Sequence, residues 1–279
     1  MSISASVLVG PTASPDLHVM TFNVRRAMEG PLRPTRDRWS TRAPAVRALL
    51  CSERPTLLGV QEALPRVMPV LREALGAGYR GVGRGRGRDG GGEGNPLLYD
   101  AARLSLHASG QRALSDRPDE PGSIGWGNLI PRVMVWAELE DRATGIRFLA
   151  VNTHLDHLSA RARLRSADAV RAIVRERSLP AVVMGDLNAG ATSPAVRALL
   201  SDHDLRDAAE AADRRLTPDW GTYPGYRRPR LHGRRIDLIA VTPGVRVGAY
   251  GANARTFEGR RPSDHLPVQA ILRIGKEPA

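Results

Sequence analysis

Asp264 and His265 stand side by side in "RPSDHLPV" (261–268), directly before an apolar run near the end of a 279-residue chain. An acid beside an imidazole can orient a proton or face a cation, but one such pair does little alone. Residues of matching type recur along the sequence, each at the edge of an apolar run. "TFN" ends in Asn23, "GVQE" in Glu62 and "VNTH" in His154, while "GDLN" carries Asp186 and Asn188. "RRID" places Asp237 at the head of another run. Carboxylates and amide oxygens are hard ligands of the kind that Mg²⁺ or Mn²⁺ takes. Two histidines with acids nearby can stabilise phosphoryl charge or move a proton. The chain has no HExxH, no cysteine cluster and no GxSxG, which disfavours zinc-protease and serine-hydrolase chemistry. Taken singly each fragment has a plainer reading: "GDLN" as an Asx turn, "NTHLDH" as a loop histidine, Glu62 as a surface acid.

Such residues act together only if the elements carrying them end at one rim. "LHVMTFNVR" (17–25) alternates apolar and polar residues, as a half-buried strand does. "PTLLGVQEA", "NPLLYD", "RVMVWAELE", "IRFLAVNTH", "PAVVMGDLN", "RRIDLIAV", "GVRVGAYGANA" and "HLPVQAILRI" read as further strands. Helices are expected where Pro44 opens "PAVRALLCSE", over "PRVMPVLREALG" closed by Gly76, and over 159–178 with Ser159 as N-cap. The last should bury Leu164, Ala167, Val170 and Val174 on one face. Many strands and fewer helices predict an α/β protein with two packed sheets. Residues 80–96, "RGVGRGRGRDGGGEGNP", are expected to form a mobile basic loop, since the glycines gain little on ordering. Residues 1–16 read as a disordered leader and 17–279 as one catalytic domain.

The formal charge of +12 favours polyanionic partners, although the excess is almost wholly arginine, with Lys276 the only lysine. Cys51 sits in an apolar helical pattern and is expected to be a buried thiol, and a lone cysteine forms no internal disulfide. With no membrane-length apolar run and no intact signal peptide, a cytoplasmic monomer is expected. A secreted form with a trimmed signal is the alternative.

Together, and in this order, the motifs resemble the endonuclease/exonuclease/phosphatase superfamily, which includes relatives of pancreatic deoxyribonuclease, abasic-site endonucleases and poly(A) deadenylases. The resemblance runs from Leu17 to Ile274. It implies a four-layer α/β sandwich of two mixed sheets flanked by helices. It further implies Mg²⁺ or Mn²⁺ held at Asn23, Glu62 and Asp264, with Glu62 the principal ligand. His154 and His265 match phosphate-contacting histidines, and Asp237 matches the acid that orients His265. Asp186 and Asn188 match the pair that positions water and phosphate. Glu93 occupies the place of an acid paired with the first histidine.

"GDLNAG" and "GRRIDLI" depart from the inositol-polyphosphate phosphatase and abasic-site endonuclease patterns. "NTHLDH", "RIDLIAV" and "SDHLPV" look closer to the deadenylase-like branch and its bacterial relatives. The form of "GWGNLIPRVMVW" implies that Trp126 and Arg132 face the substrate, and "DWGTYPGY" offers Trp220, Tyr223 and Tyr226 for base stacking or for loop packing. The expected function is a metal-dependent phosphodiesterase or nuclease, with nucleic acid modestly favoured. A phosphatase or phosphodiesterase of another phosphorylated metabolite or lipid headgroup is the alternative, and a non-catalytic polyanion binder is a third.

Overall fold

The computed structural model describes residues 7–275. The first half of the chain supplies β1 (Leu17–Asn23), β2 (Leu57–Gln61), β3 (Tyr79–Val82), β4 (Leu97–Asp100), β5 (Leu104–Ala113) and β6 (Val133–Asp141). The second half supplies β7 (Ile146–His154), β8 (Ala181–Asp186), β9 (Arg206–Asp207), β10 (Asp237–Val241), β11 (Val245–Ala252) and β12 (Val268–Ile274). They form two six-stranded sheets, ordered β11-β12-β1-β2-β4-β3 and β5-β6-β7-β8-β10-β9. Each sheet is mixed: β1/β2 and β7/β8 are parallel, and the pairs flanking them are antiparallel.

Period-two alternation sorts the side chains into layers. In β1, Leu17 and Val19 join the core between the sheets, while Met20 and Phe22 turn to the outer face. Helices α1 (Trp39–Glu53) and α2 (Met68–Leu75) cover that outer face through Val46, Leu49 and Leu71. The second sheet repeats the scheme. Val182 and Met184 face inward, while Ala181 and Val183 meet α3 (Ala160–Arg177) and α4 (Pro194–Leu199). Helix, sheet, sheet and helix layers result, as the resemblance implies.

The inward-facing alternation continues to the strand ends, where it turns polar. After Leu17 and Val19 come Thr21 and Asn23; after Phe148 and Ala150 come Asn152 and His154; after Val182 and Met184 comes Asp186. Registry puts His154 beside Asp186 and Asp186 beside Asp237, so these residues share one rim. Just beneath the rim, Gln61 donates to Asn152 Oδ1 at 2.7 Å and to Thr21 Oγ1 at 3.0 Å, tying the sheets together. Asn152 in turn donates to the carbonyls of Val60, Asn95 and Pro96. Gly59 makes this approach possible, because a Cβ there would lie 2.6 Å from Met184 Sδ.

Several expectations are corrected. Helix α1 begins at Trp39, so Pro44 lies inside it; the carbonyl that loses its partner belongs to Ser40, which is exposed to water. Cys51 is exposed, since the buried positions of α1 are 39, 42, 45, 46, 49, 50 and 53. Leu164 is 37% exposed, and Ala162, Ser166 and Ile173 complete the buried face of α3 instead. Residues 80–96 open with β3 and continue as a hydrogen-bonded hairpin, with Gly85 N–H to Gly90 O at 2.8 Å and Arg86 N–H to Glu93 O at 2.9 Å. A Cβ on Gly85 would sit 2.1 Å from Gly91 O, so close backbone approach explains the glycine there. Of the expected disordered leader, residues 7–16 include a docked stretch: Leu8, Val9 and Gly10 donate their N–H groups to the buried Glu53 carboxylate. Residues 1–6 lie outside the described residues, as does Lys276.

Candidate active site

The rim shared by the two sheets opens into a cleft of about 410 Å³. Its walls include Glu62, His154, Asp186, Asn188, Asp264 and His265. Asp186 sits at the centre. His154 Nε2 is 3.6 Å and His265 Nε2 3.7 Å from Asp186 Oδ2, and Asn23 Nδ2 donates to the same oxygen at 2.9 Å. Asp237 accepts from His265 Nδ1 at 3.0 Å, which fixes the ring and turns Nε2 toward the cleft. His265 itself precedes β12 of the first sheet, so this bond crosses between sheets.

Burial disfavours charge on His265, but the carboxylates of Asp237 and Asp186 outweigh it and raise its pKa to about 10. His154 goes the other way: burial and the Arg132 and Arg86 charges hold it well below the ordinary imidazole range. One histidine is thus a cation and the other neutral near pH 7. Burial, then the Asp237 charge, pushes Asp186 up from the usual carboxylate range.

Glu62, at the rim of the first sheet, and Asn188, beside Asp186 on the second, adopt positive φ, +58° and +50°, a conformation uncommon for residues other than glycine. Glu62 accepts from Asn23 Nδ2 at 3.0 Å and from Arg26 N at 2.5 Å. Asn23 Oδ1 is taken by Arg25 N–H at 2.9 Å. Its amide nitrogen therefore bridges Glu62 and Asp186, while one lone pair of its oxygen is taken by the Arg25 N–H. Asp264 is raised in pKa by burial, with Glu62 adding repulsion that His265 and Arg25 oppose. Two facing hard carboxylates that repel one another fit a divalent cation. Asp186, Asp237 and His265 also place ligand-type atoms within 4.8 Å of one another, but His265 Nδ1 is already committed to Asp237.

Arg132 lines the cleft, is 4% exposed, and leaves Nη1 without a hydrogen-bond partner. Asp156 and His157 hold its Nε and Nη2, at 3.4 and 2.8 Å. Glu93 also lines the cleft, but it pairs with Arg86 at 2.6 Å and Arg26 at 3.4 Å, and among the described residues it makes no hydrogen bond to His154. Tyr223 lies over His265 with ring centroids 4.7 Å apart and is 54% exposed. Trp220 does not line the cleft; its backbone bridges to Leu231. Trp126 donates to Asp116, and Tyr226 donates to Asp37.

Several positioning residues escaped the sequence reading although they lie within or beside its motifs. Ser263 of "SDH" donates to Asn23 O at 2.7 Å and accepts from His265 N–H, and Asp156 of "NTHLDH" anchors Arg132. Arg42, fully buried, donates to the carbonyls of Val24, Arg25, Arg26, Asp37 and Pro262. No local pattern marks Arg42, which reads as one more polar position of a helix.

The model of the Endonuclease/Exonuclease/phosphatase family matches residues 20–265. The chain belongs to this family. An endonuclease/exonuclease/phosphatase family protein from Bacteroides thetaiotaomicron is 32% identical, with a TM-score of 0.86 over 92% of this chain and 97% of that one. A mannosyl-6-phosphatase from the same organism is also 32% identical, with a TM-score of 0.86 over 92% and 99%. The human nocturnin catalytic domain shares the fold at 20% identity, with a TM-score of 0.69 over 93% and 94%. No curated protein matches the chain. Endonuclease/exonuclease/phosphatase family enzymes hydrolyse phosphoesters, and no described helix is long and apolar enough to cross a membrane.

Proposed function

We propose that this chain is a divalent-metal-dependent phosphatase of a small phosphorylated molecule, with the phosphate seated between His154, His265 and Arg132. The observation that carries the reading is the convergence of both imidazole Nε2 atoms on Asp186, beside a buried guanidinium with a donor to spare. Glu62 and Asp264 would hold Mg²⁺ or Mn²⁺, which when bound supplies positive charge to the phosphate and its leaving oxygen. Asp186, with its raised pKa, takes a proton from the attacking water as the new P–O bond forms and the ester P–O bond breaks. His265, kept cationic by Asp237, faces the developing phosphoryl charge and can return a proton to the leaving oxygen.

Substrate size is argued from the aromatics. Of the three offered for base stacking, only Tyr223 borders the cleft, while Trp220 bridges to Leu231 within its loop and Tyr226 is tied to Asp37. The 32% identical relative named as a mannosyl-6-phosphatase supports a sugar phosphate over nucleic acid. Hydrolysis of hexose phosphates, p-nitrophenyl phosphate, bis-p-nitrophenyl phosphate, DNA and RNA with Mg²⁺ and Mn²⁺ tests this. Phosphate release from a hexose phosphate, lost in Glu62→Gln, is the expected result. Cleavage of DNA or RNA alone would return the assignment to a nuclease.

A further inference from the structure

A second cleft of about 920 Å³ adjoins the first and shares His157, Asn188, Tyr223 and Ile236 with it. We propose that this cleft is a second anion subsite, which takes a phosphate carried on the leaving-group portion of the substrate. The proposal rests on reading the first cleft as the phosphoester site.

The charge of the two clefts differs in kind. Four arginines of the first are matched by four carboxylates. The second is lined by Arg163, Arg227, Arg228, Arg230 and Arg234, and no acid lines it. Asp237, the nearest acid in sequence, is bound to His265 at 3.0 Å, and Asp219 is taken by His232 at 3.1 Å and lies 3.7 Å from Arg235. Among the described residues, Arg227, Arg228, Arg230 and Arg234 form no ion pair. Like charges on one wall repel, and an anion seated among them relieves that repulsion. Guanidinium groups also match the geometry of phosphate oxygens.

The loop that carries these arginines is fixed to the catalytic elements. Thr222 Oγ1 accepts the N–H groups of Ile236 and Asp237 at 3.0 and 3.1 Å, and Gly225 N–H donates to Asp264 O at 3.1 Å. Gly221 N–H to Arg230 O at 2.9 Å and Thr222 N–H to Arg234 O at 3.1 Å close the loop on itself. The arginines therefore stand at a set place relative to Asp237 and Asp264. A substrate with one phosphate at His265 and another on its leaving group would span both clefts. That chemistry is shared by a bisphosphorylated sugar and a short oligonucleotide.

Calorimetric titration of inorganic phosphate, glucose 1,6-bisphosphate and 5′-phosphorylated trithymidylate into the wild type and the Arg228→Gln/Arg230→Gln double variant tests the subsite. Both arginines are exposed, so the variant is expected to keep the fold. Wild type should bind at least one of the two multiply phosphorylated probes ~10-fold or more tighter than inorganic phosphate, the scale of charge-assisted hydrogen bonds. The double variant should lose that advantage and still bind inorganic phosphate as the wild type does. Tighter binding of the sugar bisphosphate points to a metabolite, and of the trithymidylate to nucleic acid. Equal affinity of wild type for all three probes, or equal weakening of all three in the variant, overturns the subsite. Turnover of p-nitrophenyl phosphate is followed separately: its absence with hexose phosphates also intact counts against the hydrolase reading, whatever the titrations give.

Discussion

The two sheets are built alike and end differently. Each has a central parallel pair, β1/β2 or β7/β8, whose inward residues run from apolar core to polar rim. The first sheet ends in Asn23 and Gln61, followed by Glu62, the side suited to a cation. The second ends in His154, Asp186 and Asp237, the side suited to moving protons and holding phosphate. Neither rim is complete alone. His265 arrives from the first sheet and is oriented by Asp237 of the second. The difference teaches that the chemistry depends on how one sheet sits against the other, and the strongest tests act on that junction.

Asp237→Asn acts directly on it. Losing the carboxylate removes the larger of the two charges that favour the cationic form of His265 and the acceptor that fixes its ring, and kcat is expected to fall ~10²-fold or more, the usual scale for a lost acid–base or electrostatic partner. Steady-state kinetics on the panel substrate checks this, with circular dichroism to confirm folding. A loss under about threefold would show that the sheets' side chains work independently, well below that scale.

Asn152→Leu acts one layer lower, on the tie to Gln61. It takes one acceptor from the Gln61 amide, which keeps Thr21 Oγ1, and removes a donor from each of the Val60, Asn95 and Pro96 carbonyls. Stability should drop by about 1–3 kcal/mol, the cost of a buried polar group left unsatisfied. Urea unfolding measures it, and activity of the remaining folded protein should fall as well. An unchanged midpoint would mean that apolar packing alone sets the spacing of the sheets.

The smallest effect belongs to the far end of β1, away from the rim. His18 is fully buried, donates from Nδ1 to Gly10 O at 2.8 Å, and has no partner at Nε2. Burial lowers its pKa to about 4, against some support for the charged form from Glu53. The unfolded chain then binds the extra proton between the ordinary imidazole range and about pH 4, so stability is intact near pH 7 and falls with acidification through that window. Thermal melts across it should show a steeper decline for wild type than for His18→Gln. Parallel declines would assign the acid sensitivity to other groups.

How legible all this is in the sequence depends on what each residue does. Strand β8, covered on both faces, carries a dense apolar run and is found at once; the alternation in β1 marks a strand but reads as half-buried, whereas all seven of its residues are buried. By contrast β5 escapes the reading: Leu104, Leu106 and Ala108 alternate with polar residues, but the run is brief, gives way to Gly110 and Gln111, and lies at a sheet edge. The hairpin at 83–95 is hidden for another reason: glycine demanded by close backbone contact looks like glycine that confers freedom. At the site, Asp186, Asp237 and His265 are visible since each closes or opens an apolar run. Asn152 and Gln61 sit in the same motifs but read as filler until the opposite sheet is in place. The contacts of Glu93 with Arg86 and of Trp220 with the Leu231 backbone are local matters of loop packing that no sequence pattern announces.

Arg42 has a mechanical consequence. Its one guanidinium grips backbone at three places, at Val24–Arg26 and Asp37 shortly before it in the chain and at Pro262, 220 residues after it. A planar fork with five donors has no equivalent in lysine, whose three donors diverge from a single point. The segments bearing Arg25, Arg26 and the approach to Asp264 therefore behave as one rigid plate that can shift only as a whole. A substrate that needs room cannot obtain it there by moving one loop past another, and any adjustment on binding must come from the far wall.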